Sequence, residues 1–282
     1  MILNLKHRRV LVALALALIS GGAHAVPGEQ QTPEATFRTT PPSVDPHAQA
    51  AVEPHRPLYE TRAIHDQNGT GKFYMGREIA QVMGPGGIPW LDRPERDDQE
   101  KPSIVLDALK LRGGETVVDL GAGSGYFTFR IAPRVGRAGK VLAVEIQDEM
   151  LQTIRQRAQA LKVTNVEAVK GSETDPNLPA KAVDLVLMVD VYHELAYPFE
   201  VMTKIREALK PGGRVVFVEY RKEDPDVPIK LVHKMSVEQV KREMKAVGLA
   251  HMQTLETLPL QHILVFEKPV AGELLFLQPQ GM

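Results

Sequence analysis

The stretch that decides the fold is TVVDLGAGSGYFT, which runs from Thr116 to Thr128. Its apolar start predicts a buried strand, its alternating glycines predict a tight turn, and the spacing that follows is helical. Glycine adopts a positive φ without penalty and leaves bare backbone for a ligand, while the start of the next helix offers unpaired N–H groups. The stretch therefore predicts a nucleotide-type pocket.

The details of this turn distinguish two kinds of nucleotide pocket. The dinucleotide fingerprint G-x-G-x-x-G needs a third glycine where this chain has Tyr126. Asp119, at the end of the strand, would repel a pyrophosphate but attract an amino group or a sulfonium. An acidic residue followed by L-G-x-G-x-G resembles the first motif of the class I S-adenosylmethionine (SAM)-dependent methyltransferases. The resemblance implies that Asp119, Gly121, Gly123 and Gly125 bind SAM.

Three later segments extend this resemblance in the expected order. An apolar run ends at Glu145, twenty residues after Gly125, where a carboxylate can accept both ribose hydroxyls. The most continuous apolar run, 182–189, is typical of a central parallel strand, and L-K-P-G-G at 209–213 resembles the turn before strand five of the family. We therefore predict a three-layer, Rossmann-like α/β methyltransferase fold, with a seven-stranded, mostly parallel sheet and a C-terminal antiparallel hairpin.

The adenine and methionine ends of SAM each have further candidate residues. Ile146 follows Glu145 and would face the adenine ring, and the oxygen of either Ser172 or Glu173 could accept the adenine amino group. The family commonly has an aspartate where this chain has Ser172, so an ordinary turn is an equally good interpretation there. Asp190 ends the fourth strand and would face the same crevice as the glycine turn.

The chemistry is expected in the segment that follows Asp190. His193 is the candidate general base, because an imidazole with a pKa of about 6.5 can take a proton near neutral pH. Tyr192 could orient the methyl acceptor and Glu194 could orient the histidine. The alternative is that His193 only lines the crevice or caps a helix. His233 and Lys234 are second candidates for the acceptor wall.

The chain divides into four predicted parts. Residues 1–25 combine a basic start, a ten-residue apolar centre and an A-x-A end, which is typical of a secretory signal peptide and predicts a periplasmic or secreted protein. Residues 26–72 are rich in proline and predict a disordered tether. Residues 73–269 form the methyltransferase domain, with a helix over 73–83 inside a lid region at 73–101. Residues 270–282 form a tail.

Composition limits the possible partners. The net charge of −1 and the lack of a basic stripe argue against nucleic acid. The chain has no cysteine, which excludes disulfides and zinc–thiolate sites, and we predict no metal. We also predict no membrane span after signal cleavage, and a small-molecule methyl acceptor that the sequence does not identify.

Two other functions remain open at this stage. One is a secreted protein without catalytic activity that binds a ligand or partner, because a signal peptide would send the chain to a compartment where SAM is not made. The other is a nicotinamide-dependent oxidoreductase, which Asp119 and Tyr126 argue against.

Overall fold

The structure is a computed structural model that describes residues 58–270. The predicted signal peptide, the first part of the predicted tether and nearly all of the predicted tail lie outside the described residues. Within 58–270 the chain forms a small antiparallel sheet followed by a large α/β sheet.

The small sheet consists of β1 (Tyr59–Thr61), β2 (Gly69–Tyr74) and β3 (Arg77–Ala80). β1 and most of β2 lie at the end of the predicted tether and β3 lies in the predicted lid region, so the folded part of the chain begins earlier than the sequence indicated. The helix predicted over 73–83 is wrong, because β2 and β3 pair through a two-residue turn at Met75 and Gly76. Both turn residues have a positive φ, 47° and 89°, as a tight hairpin requires.

Within residues 58–270, three α-helices precede the large sheet and four alternate with its strands. Their bounds are α1 (Ile88–Leu91), α2 (Arg96–Glu100), α3 (Pro102–Ala108), α4 (Thr128–Val135), α5 (Asp148–Ala160), α6 (Pro198–Ala208) and α7 (Val237–Ala246).

The large sheet confirms the predicted fold class. Its strands are β4 (Thr116–Leu120), β5 (Lys140–Glu145), β6 (Val166–Lys170), β7 (Val183–Val189), β8 (Leu209–Arg221), β9 (Lys234–Met235), β10 (Ala250–Leu255) and β11 (Gln261–Glu267). Seven of them lie in the order β10-β11-β8-β7-β4-β5-β6, and the short β9 pairs with β8. The strands from β4 to β8 pair in parallel, whereas β10 and β11 form the antiparallel hairpin at one edge.

Helices cover both faces of this sheet because the strand side chains alternate between the faces. Val118 packs in a buried cluster with residues of α6 and α7, such as Met202 and Met244. Its neighbour Val117 packs in a second cluster with residues of α3 and α4, such as Leu106 and Ile131. The result is the predicted three-layer arrangement, with the carboxyl ends of the parallel strands at one edge.

Strand β8 starts earlier than the sequence predicted, because it includes the L-K-P-G-G segment. Val183 pairs with Leu209 but Leu185 pairs with Arg214, so the extra residues form an irregularity within the ladder.

None of the helices between residues 58 and 270 is both long enough and apolar enough to span a bilayer.

Candidate active site

A cavity of about 810 Å³ lies at the carboxyl ends of the parallel strands. Its size is within the range of cofactor and substrate sites in enzymes. Most of the residues predicted to form the site line it, although they come from four different loops. They are Gly121, Gly123, Glu145, Ile146, Ser172, Glu173, Asp190, His193 and Glu194. The position agrees with the general rule that open α/β sheets bind ligands beyond the carboxyl ends of their strands.

The glycine turn leaves no room for side chains. Gly121, Gly123 and Gly125 have positive φ values of 66°, 55° and 87°. A Cβ atom on Gly123 would lie 2.8 Å from Cδ1 of Leu91, and one on Gly121 would lie 2.6 Å from Cγ2 of Val191. Only glycine combines this backbone with these contacts, so the turn presents main chain to the cavity.

The carboxylate of Glu145 is held beside this turn by main-chain N–H groups. Gly123 donates to Oε2 at 3.1 Å, while Ile146 and Gln147 donate to Oε1 at 2.7 and 3.1 Å. The side chain is buried, yet it contributes to the cavity wall. A carboxylate has about four acceptor positions, so a further donor such as a ribose hydroxyl can still be accepted.

Three predicted site residues lie outside the wall that the described residues form. Asp119 is buried behind the turn and accepts a 2.6 Å hydrogen bond from the hydroxyl of Thr128. Burial raises the pKa of Asp119 to about 6, although Thr128 acts in the opposite direction. Asp119 therefore supports the turn from behind, and its carboxylate does not line the cavity in which the cofactor would bind. Gly125 shapes the turn without lining the cavity.

Tyr192 is the third of these residues, and its buried side chain does not line the cavity where an acceptor would bind. Its hydroxyl donates to Oε2 of Glu243 at 2.6 Å. The guanidinium of Arg77 donates to both oxygens of the same carboxylate, at 2.8 and 3.2 Å. Arg77 also donates to the carbonyl of His193 at 3.3 Å, so this buried network attaches the small sheet directly behind the histidine.

Asp190 lines the cavity, and it has a left-handed backbone and a carboxyl group that is only partly hydrogen-bonded. Its φ is 54°, and its Oδ2 accepts from Nε2 of Gln261 at 2.7 Å. Within residues 58–270, its buried Oδ1 has no hydrogen-bond partner. Burial, together with the nearby charges of Glu100 and Glu219, raises its pKa to about 8. A cationic ligand group in the cavity would relieve both the missing contact and the unfavourable charge.

His193 is oriented by Glu219, and the prediction that Glu194 does this is wrong. Nδ1 of His193 lies 2.6 Å from Oε2 of Glu219, whereas its Nε2 lies 3.9 Å from Oε1 of Glu194. A carboxylate only accepts, so Nδ1 carries the hydrogen and Nε2 is directed elsewhere. Burial opposes the charged imidazolium, but the charge and hydrogen bond of Glu219 outweigh it and raise the pKa of His193.

His233 and Glu194 complete a polar group around this imidazole. Nδ1 of His233 lies 3.1 Å from Nε2 of His193, and both rings line the cavity. Burial and the neighbouring His193 lower the pKa of His233, while burial raises the pKa of Glu194 to about 7. Lys234, the other second-rank candidate, instead directs its Nζ to the carbonyl of Asp224 at 3.1 Å.

Part of the predicted lid region forms one wall of the cavity, which is lined by Gln81, Val82, Met83, Trp90 and Leu91. The carbonyl of Met83 accepts from Nε2 of Gln147 at 2.9 Å, and its N–H donates to Oε2 of Glu194 at 3.4 Å. Oδ1 of Asp92 accepts from the hydroxyl of Ser124 in the glycine turn at 2.8 Å. This wall is therefore tied to three of the loops that form the site.

Sequence reasoning missed Glu219 and Arg77. Glu219 ends the predicted fifth strand, so the rule that placed Asp190 in the crevice could have placed it there as well. Arg77 gave no comparable signal, because its contact with Glu243 joins residues that are 166 positions apart.

Residues 111–265 match the family model described as a methyltransferase domain. The chain therefore belongs to this family, and residues 111–265 form a domain of the class I SAM-dependent methyltransferase family, as the sequence predicted. The residues fit the cofactor, because Gly121, Gly123, Glu145 with its fixed carboxylate, and Asp190 all line one cavity. Within residues 58–270, the buried Oδ1 of Asp190 still lacks a hydrogen-bond partner.

Two relatives and one solved structure illustrate the similarity. The chain is 31% identical over 160 residues to an uncharacterized 37.1 kDa protein in transposon Tn4556 of Streptomyces fradiae, covering 56% of this chain and 46% of that protein. It is 30% identical over 120 residues to the ubiquinone/menaquinone biosynthesis C-methyltransferase UbiE of Salmonella arizonae, covering 42% and 48%. The chain thus spans about half the length of these curated relatives.

The solved structure is a SAM-dependent methyltransferase from Aquifex aeolicus. It is 27% identical and superposes with a TM-score of 0.63, covering 66% of this chain and 100% of that one. The similarity therefore extends over the whole of that smaller enzyme.

Proposed function

We propose that this protein is an exported methyltransferase that transfers the methyl group of SAM to a small-molecule acceptor. The observation that supports it best is that Gly123, Glu145 and His193 all line the same cavity. The volume of about 810 Å³ falls in the range of pockets that bury a small ligand.

The wall from the predicted lid region favours a small acceptor over a macromolecule. Met83 and Trp90 line the cavity and are also exposed to solvent, and Arg93 stacks on the indole of Trp90 with its guanidinium carbon 3.7 Å from the ring centroid. A protein or nucleic-acid acceptor would need an open groove at this position. The wall contains apolar as well as polar side chains, so an acceptor with an apolar body and one polar reacting group fits best.

Positioning is the main contribution that we assign to the protein. When bound, SAM supplies a methyl group that its sulfonium already activates. Holding two reactants in line can be worth roughly 7–11 kcal/mol, so the fixed positions of Glu145 and the glycine turn are sufficient for much of the rate. For an acceptor that must lose a proton, we assign the role of base to Nε2 of His193. Glu219 holds Nδ1 of the same ring, and His193 lines the cavity.

Export is supported by the signal-like pattern of residues 1–25. Fractionation of cells that express the natural chain, with detection of the mature N-terminus, tests this part of the proposal. Recovery of the unprocessed chain in the cytoplasm alone would contradict it.

The enzymatic part is tested by mass spectrometry of the native protein and by methyl-transfer assays. We expect SAM or its demethylated product to copurify with the chain. The name of the Salmonella relative makes acceptors of ubiquinone and menaquinone biosynthesis the first compounds to assay with labelled SAM. A chain that binds SAM but transfers no label to any small-molecule pool would favour the alternative, a secreted binding protein on a methyltransferase fold.

A further inference from the structure

Three ligand-type side chains converge at one end of the cavity. They are His193, Glu194 and His233, and one nitrogen or oxygen atom from each lies within 4.8 Å of the others. The separations are 3.1 Å between Nε2 of His193 and Nδ1 of His233, 3.9 Å from Oε1 of Glu194 to Nε2, and 3.8 Å from the same oxygen to Nδ1.

We propose that His193, Glu194 and His233 bind a divalent first-row transition metal ion. The site needs neither SAM nor an acceptor, so it goes beyond the proposed function. It also replaces the sequence-based expectation that the chain has no metal site, which considered cysteine ligands only.

The distances match the size of such an ion. A point equidistant from three atoms with these separations lies about 2.1 Å from each, which is the usual length of a bond from zinc to a histidine nitrogen or a carboxylate oxygen. Two imidazole nitrogens and one carboxylate favour zinc, iron, cobalt or manganese over magnesium and calcium, which prefer oxygen ligands.

The surroundings of His193 are those of a metal ligand. Histidines that bind metals usually donate their other ring N–H to a carboxylate, which fixes the ring and its tautomer. Glu219 accepts this hydrogen from Nδ1 at 2.6 Å and is itself fully buried. It also accepts the main-chain N–H of Tyr192 at 2.9 Å, so its position is fixed independently of the histidine. The lone pair of Nε2 is thereby directed at His233.

The charge of Glu194 provides a second argument. Only 14% of its side chain is exposed, and the ion pairs that it makes within residues 58–270 are with His193 and His233. A buried carboxylate is costly unless a cation accompanies it, and here no lysine or arginine of the described chain does so. A divalent ion would supply the missing positive charge.

Without an ion, the same geometry is a hydrogen bond between two histidines, in which Nδ1 of His233 donates to Nε2 of His193. In that case Nε2 can act as the proposed base only when this hydrogen bond opens, because its one lone pair is otherwise engaged. An ion on Nε2 would prevent it from taking a proton, so the two interpretations make opposite predictions for metal binding.

Cobalt binding tests the proposal directly. The full chain is purified without a histidine tag, treated with a chelator and titrated with Co²⁺, and the visible absorption of bound cobalt and the metal content after dialysis are measured. We expect one tightly bound ion per chain that Zn²⁺ displaces. His193→Ala and His233→Ala should each weaken binding at least tenfold, Glu194→Gln should weaken it less, and Glu219→Gln should weaken it about 10- to 100-fold because it supports a ligand.

The matched control is His251→Ala. This exposed histidine lies on β10, where Nε2 contacts Oγ1 of Thr254 at 2.9 Å. The control should bind cobalt like the parent chain, because it removes a histidine that does not belong to the proposed site. Equal binding by the parent chain and the His193→Ala and His233→Ala variants would overturn the proposal.

SAM titration of the same metal-free samples separates this proposal from the proposed function. SAM binding without a cobalt signal that depends on His193 would reject only the metal site. The cobalt signal without SAM binding would reject only the methyltransferase account. Retained SAM affinity in His233→Ala would show that the variant is folded.

Discussion

The main-chain N–H of Gly123 donates a 3.1 Å hydrogen bond to the carboxylate of Glu145, although the two residues are 22 positions apart. Gly123 lies in the loop after β4 and Glu145 is the last residue of β5, and these two strands pair in parallel. The bare backbone that would lie beneath the methionine part of SAM and the carboxylate that would hold its ribose are therefore fixed relative to each other before any ligand binds. This preorganisation is what the assigned activity requires.

Glu145→Ala should weaken SAM binding by about 1.5–3 kcal/mol, or roughly tenfold to more than a hundredfold, because charge-assisted hydrogen bonds to the ribose are lost. Isothermal titration calorimetry measures the effect. The control is Glu149→Ala, which changes an exposed glutamate in the first turn of α5 and should leave the affinity unchanged. Equal affinities in both variants would show that Glu145 does not hold the ribose.

Gly123→Ala should abolish SAM binding as well as destabilise the protein. A left-handed backbone costs a non-glycine residue about 1–2 kcal/mol, and the new Cβ would also press on Leu91. Gly114→Ala is the matched control, since Gly114 has a φ of 89° but no described atom within 4 Å of an added Cβ. Urea denaturation should show a loss of about 1–2 kcal/mol in Gly114→Ala and a somewhat larger loss in Gly123→Ala, whereas SAM affinity should fall only in Gly123→Ala. Retained SAM affinity in Gly123→Ala would argue against the cradle.

Arg77→Met should destabilise the protein by about 3–5 kcal/mol, because it leaves the buried Glu243 carboxylate without its cation. Adding Glu243→Gln should recover part of this loss. Arg62→Met is the comparison, since the exposed pair of Arg62 and Glu60 should contribute less than about 1 kcal/mol. Urea denaturation compares all four proteins. Similar small losses for Arg77→Met and Arg62→Met would contradict the role of Arg77 in attaching the small sheet.

Asp119→Asn should change how stability depends on pH. Burial raises the pKa of Asp119 to about 6 in the folded protein, against 3.8 for an unperturbed aspartate. Between these values the folded state keeps a proton that the unfolded state has released, so this carboxyl makes folding less favourable as pH rises. The parent should therefore lose up to roughly 3 kcal/mol relative to the variant between pH 4 and 7.

Urea denaturation at several pH values measures this difference. Asp107→Asn, on the exposed side of α3, serves as the control. A constant difference between Asp119→Asn and the parent over this range would show that Asp119 ionises as readily in the folded chain as in the unfolded one.

The large sheet could be predicted from the sequence because its signals are local. β4 lies at the apolar start of the stretch that predicted it, and the predicted start of β7 differs from the observed one by a single residue. Both predictions used the fact that continuous apolar runs bounded by glycine or polar residues indicate buried parallel strands. Glu145 could be placed in the site because the chain distance from Gly125 is set by one helix and one strand.

The errors concern contacts that no local pattern encodes. The hairpin of β2 and β3 turns at Met75 and Gly76, and this pair lacks the asparagine or aspartate that usually indicates such a turn. The partner of His193 is Glu219, which comes from β8, the strand beside β7, and not the sequence neighbour Glu194. The sequence alone does not indicate which of the two carboxylates lies nearer to the imidazole. The contact of Tyr192 could not be predicted for the same reason, because its hydroxyl donates to Glu243, which lies on the distant helix α7.

The most direct test of the central claim is calorimetric titration of the purified protein with SAM and, separately, with NAD. The account predicts saturable binding of SAM by the parent protein, weaker binding by Glu145→Ala and no binding of NAD. Absence of SAM binding at millimolar concentration by folded protein, or NAD binding that Glu145→Ala weakens, would contradict it.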